Sequence, residues 1–63
     1  METRLERAER HVREGRQIVE RQRRLVLDQH QKGHDTTTAE ELLQTFERSL
    51  SGFEDDLAAI RAK

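Results

Sequence analysis

Two short clusters in this 63-residue chain hold side chains that could do chemistry at close range. His30 and His34 stand four residues apart, with Asp35 following, a spacing that serves a metal ion when both histidines project from one helix. Gly33 falls between them and marks a helix end, so the group reads as turn and capping residues, with metal sensing by His30, His34 and Asp35 as the sharper alternative. Glu54, Asp55 and Asp56 are consecutive. A helix splays such a run around its circumference, which suits a solvated surface better than paired acid–base catalysis. The chain has no Glu-x-x-His pair, nucleophile elbow, glycine-rich phosphate loop or cysteine. Di-iron, nucleotide and thiol chemistry therefore lack their residues, and neither a catalytic residue nor a cofactor is expected.

The arginines raise a different chemistry. Arg4, Arg7, Arg10, Arg13 and Arg16 recur every third residue and so drift around a helix instead of forming one ridge. Arg10, Arg13, Arg21 and Arg24 share a broad outward face, the candidate contact for a polyanion, but Glu6, Glu20 and Asp28 are interspersed on it. Nucleic-acid binding favours unneutralised charge and stacking aromatics. The only aromatic rings besides histidine, Phe46 and Phe53, sit in the apolar repeat. His11 falls off that repeat and reads as a surface residue.

Such side chains need elements to hold them. About two fifths of the chain is charged and a third apolar, with no proline. Glu, Arg, Gln, Leu and Ala abound, residues that lose little rotamer freedom in a helix. Charge is divided along the chain. Residues 1–32 carry nine Lys/Arg against six Asp/Glu, and residues 33–63 carry three against seven, giving +3 and −4. The longest aliphatic run, Leu25 to Leu27, is far below the roughly 20 residues that span a bilayer. The N-terminal residues show no signal-peptide core. Together with the absence of cysteine, this gives a soluble, cytoplasmic expectation with no membrane partner.

Heptad spacing then places two helices. Leu5, Ala8, Val12, Gly15, Val19 and Val26 form an apolar stripe in which Gln22 and Gln29 fill the remaining slots. Ordered i,i+4 pairs such as Glu6 with Arg10, Glu9 with Arg13 and Glu20 with Arg24 add local support, as do Arg10 with Glu14, Arg16 with Glu20 and Arg24 with Asp28. The first helix should end near Gln31 or Lys32, with Gly33 at positive φ. Thr37 with Glu40 has capping-box spacing, and Asp35 or Thr36 are the alternative caps. In the second stripe, Ala39, Phe46, Phe53 and Ile60 recur every seven residues, as do Leu43, Leu50 and Leu57. The expected fold is all-α: one domain over 1–63, an antiparallel two-helix hairpin with helices at about 3–32 and 37–62 and a turn at 33–36.

Folding back near residue 34 should bring together positions whose numbers sum to about 69. The layers are then His30/Ala39, Val26/Leu43, Gln22/Phe46, Val19/Leu50, Gly15/Phe53, Val12/Leu57 and Ala8/Ile60, with small opposite large as close packing requires. Ile18, Leu25 and Leu42 remain on the flanks. A lone hairpin of this size rarely offsets the entropy of ordering its chain. Burying Ile18, Leu25, Leu42, Phe46 and Phe53 against a second copy would supply the deficit, as a homodimeric four-helix bundle.

The turn segment Gly33-His34-Asp35-Thr36, followed by Ala39-Glu40 and Leu42-Leu43, resembles a motif of short bacterial helical-hairpin proteins of unknown function. They share GHDT, two variable residues, AE, one more, and LL. His11 to Arg16 and Gln22-Arg23 with Leu25 resemble the same group, so the likeness covers residues 11 to 50. It implies the hairpin and carries no activity. In length and architecture the chain is also similar to small RNA-binding bundle proteins of plasmids, by fold analogy alone. The expected function is a non-enzymatic, homo-oligomeric interaction module with an unidentified protein partner. The alternative is an RNA-binding bundle using the arginine face.

Overall fold

The computed structural model describes residues 1–63, which form two helices, α1 (Arg4–Gln31) and α2 (Thr37–Arg61), packed antiparallel along most of their length. The resulting rod measures 48 × 19 × 13 Å. Helix α1 opens on a capping box that the sequence reading overlooked. The Thr3 hydroxyl accepts from the Glu6 backbone N–H and the Glu6 carboxylate accepts from the Thr3 N–H, both at 3.0 Å. Two of the helix's orphan donors are thereby satisfied. The Thr-x-x-Glu spacing was visible in the sequence, ahead of the first apolar position.

Helix α1 ends as its glycine required. Gly33 has φ 74°, the left-handed conformation that side chains with a Cβ resist. The Gly33 N–H reaches the His30 carbonyl and the His34 N–H reaches the Gln29 carbonyl, the two bonds of a Schellman motif. Entry to α2 follows the alternative caps, not the Thr37–Glu40 box. Thr37 is already helical, and the capping position falls to Thr36, whose side chain makes no capping bond. The Asp35 carboxylate instead accepts from the Thr37 N–H and hydroxyl, at 3.0 and 2.7 Å. These two bonds, backbone first, hold the Asp35 carboxyl below its ordinary value. Glu40, the expected partner of Thr37, accepts from the Thr36 hydroxyl.

Ala8, Val12, Gly15, Val19, Ala39 and Leu57 are buried, and Leu43, Phe46, Leu50, Phe53 and Ile60 are half-buried along the seam. Gly15 serves as the close-approach position. A Cβ there would lie 3.2 Å from Leu50 Cδ1 and 3.5 Å from the Phe53 ring, so the glycine accommodates Leu50 as well as the ring. His30 does not enter the seam. It is exposed, and Gln29 holds the slot that heptad spacing gave it, continuing the seven-residue series Ala8, Gly15, Gln22. The Gln22 amide donates to the Ala39 carbonyl at 2.9 Å, which satisfies a polar group set in an apolar stripe.

Candidate functional site

The hairpin has two broad faces, and they differ in kind. On one, Arg16 reaches Glu54 and Arg61 reaches Glu9, each at 3.3 Å, so two ion pairs bridge the helices. Glu9 and Arg16 thus find partners on α2, not the Arg13 and Glu20 expected within α1. Local spacing could not foresee this, because each charged residue had several candidates within reach. Leu27, 58 % exposed, lies on the same side of α1.

On the opposite face the bridging contact is aromatic. His11 lies 5.0 Å from Phe53 between ring centroids, tilted by 34°, and is half-buried. The surface assignment for His11 is therefore corrected. The residue begins a seven-residue series, His11, Ile18, Leu25, running down one flank of α1. Beside it on α2 runs the series Leu42, Ser49, Asp56. Ile18, Leu25 and Leu42 remain 37 %, 42 % and 45 % exposed. Phe46 and Phe53 are half-buried at the seam that borders them. Helical spacing thus sets Ile18 and Leu25 on one flank of α1 and Leu42 on the flank of α2, with the two phenylalanines at the seam. Toward the termini the face opens into a groove of about 350 Å³ among Arg4, Arg7, His11, Phe53, Asp56 and Ile60. Closer to the turn, the Thr45 hydroxyl donates to the Glu41 carbonyl at 3.1 Å.

The four candidate arginines do not behave as one patch. Arg10 is held by Glu2 at 2.8 Å and by Glu14 at 3.5 Å, and Arg24 by Glu20 at 3.3 Å. The hydrogen bond and charge of Glu2 raise the Arg10 pKa further, while the Arg10 guanidinium lowers that of Glu2. Arg13 and Arg21 make no ion pair. Of the other expected pairs, Glu6 turns to the cap and Asp28 to Lys32 at 3.0 Å.

His30 and His34 flank Gly33 at the helix end, His34 lending its N–H to the turn. No three His, Asp or Glu side chains gather in a geometry that could hold a metal ion. Glu54 faces Arg16, whereas Asp56 borders the groove on the opposite face. The three consecutive carboxylates are thus dispersed around α2. Neither helix is long and apolar enough to cross a membrane. No protein-family model, curated protein or solved structure matches the chain.

Proposed function

We propose that this chain is a non-enzymatic, cytoplasmic helical module that pairs with a second copy through its apolar face, forming a four-helix bundle whose outer surfaces meet another protein. One observation carries the reading. No large side chain is fully buried in the hairpin, while Ile18, Leu25 and Leu42 line up exposed on a single face. A chain that orders 63 residues around so small a core gains most by covering that face.

Light scattering on the purified chain at micromolar concentration tests it. The expected mass is that of two chains. Leu42→Glu, at an exposed helical position, should shift the protein toward one chain, whereas Leu27→Glu on the ion-paired face should not. A folded monomer would overturn the reading. RNA binding by the arginine face stands second, supported by the unpaired Arg13 and Arg21. Retention of structured RNA in a low-salt gel shift, lost in Arg13→Ala/Arg21→Ala, would raise it to first place.

A further inference from the structure

We infer that the second copy docks with its turn at the same end as the first, so that α1 of each hairpin lies over α2 of the other. The inference rests on the self-association proposed above and specifies its geometry. Face-to-face stacking by a two-fold axis leaves two choices. An axis along the rod keeps both turns together and crosses α1 with α2. An axis across the rod puts the turns at opposite ends and stacks each helix on its own copy.

Register separates these choices. With the turns together, residues keep their axial level, so the second copy's α1 meets α2 at the levels already seen within one hairpin. Leu25 then stands over Leu42, Ile18 over Ser49 beside the two phenylalanines, and His11 over Asp56. Apolar meets apolar in the turn half, and the imidazole meets a carboxylate at the terminal end. With the turns apart, Leu42 stands over Asp56 and Leu25 over His11. Leu25 and Leu42 are then each set on a polar side chain, only Ile18 meets an aliphatic one (its own copy), and a carboxylate loses water without gaining a partner.

Charge points the same way. Crossing the helices sets the +3 half of one chain against the −4 half of the other, whereas the alternative sets like on like. That alternative does bring Glu14 level with Arg21, but an exposed rim pair contributes little beside a buried mismatch. Size is adequate. A face 48 Å long and 19 Å wide offers a footprint of about 900 Å², against the roughly 800 Å² that each partner gives to a stable interface.

The chain has no cysteine, so a single spin label at exposed Lys32→Cys reads the geometry directly. With helices packed 8–10 Å apart, the two α1 helices lie diagonally about 14 Å from each other. Label-to-label distances should then fall below about 30 Å once the label arms are included. A distance approaching the 48 Å length of the rod would overturn the orientation and leave self-association standing. Absence of any intermolecular distance, together with one-chain mass in light scattering, would overturn both. A second label at Thr38→Cys, at the start of α2 beside the turn, should give a short distance as well.

Discussion

The half of the hairpin near the termini and the half near the turn solve the same packing problem with different means. In the terminal half, Ala8, Val12 and Leu57 are buried together, and Leu50, Phe53 and Ile60 close around them. Small residues on α1 let the larger ones on α2 approach, and Arg16–Glu54 and Glu9–Arg61 tie the edge. In the turn half, only Val19 and Ala39 are buried. Val26, Leu43 and Phe46 remain half-covered, Leu25 and Leu42 lie in the open, and Gln22 and Gln29 occupy seam positions. Chain connectivity through Gly33 keeps these turns of helix side by side without a dry core. The difference teaches how unevenly one seam can be packed: the terminal half is filled from within, and the turn half keeps its aliphatic side chains half-covered or in the open.

Truncation should expose that contrast most strongly. Leu57→Ala removes the largest buried side chain of the terminal half, and a loss of about 2–4 kcal/mol is expected in urea unfolding. Val26→Ala, in the half-covered region, should cost nearer 1 kcal/mol. Equal losses would erase the distinction between the halves. Overpacking comes next. Gly15→Leu must displace Leu50 and the Phe53 ring, and should destabilise by about 1–3 kcal/mol. A neutral thermal melt would count against the observed register.

The other glycines give smaller effects of opposite sign. Gly52 lies inside α2 with open space where a Cβ would stand, so Gly52→Ala should stabilise by about 0.5–1 kcal/mol. Gly33 also has open space, but its φ of 74° makes Gly33→Ala unfavourable by about 1–2 kcal/mol. Thermal melts of the two variants should therefore move apart, although neither substitution touches a neighbour.

Acid gives the mildest comparison, between the two helix starts. Two bonds from Thr3, the backbone N–H first, lower the Glu6 pKa, and two from Thr37 lower that of Asp35. A carboxyl depressed in the fold stabilises fully above its unfolded value and loses the contribution as pH falls through its folded one. The contribution of these two caps should thus be the same at pH 7 and pH 5, and should be lost from the melting temperature below about pH 4. Glu6→Gln should flatten the part of that decline due to the first cap, and Asp35→Asn the part due to the turn. An unchanged acid profile in both variants would show that the caps contribute nothing.

Much of the architecture was legible beforehand, because heptad spacing and the Gly33 turn are local signals with few alternatives. Both helices begin and end within one residue of the expected limits. Missed features had two origins. The Thr3–Glu6 box was present in the spacing and went unread. The choice among the three caps considered for α2, which fell to Thr36 and Asp35 over Thr37, depended on the backbone path between the helices, which spacing does not encode.

The order of residues by itself determined two amphipathic helices, their bend and the approximate level at which α1 meets α2. Side-chain periodicity dictates these, since only one stripe on each helix is apolar enough to be buried. Tertiary structure alone decided that Glu9 and Arg16 reach across to α2, that His11 rests on Phe53, and that His30 stays outside the seam. Long polar side chains meet several partners at equal distance along a helix, and only the approach of a second helix, with its own twist and reach, makes one of them nearest.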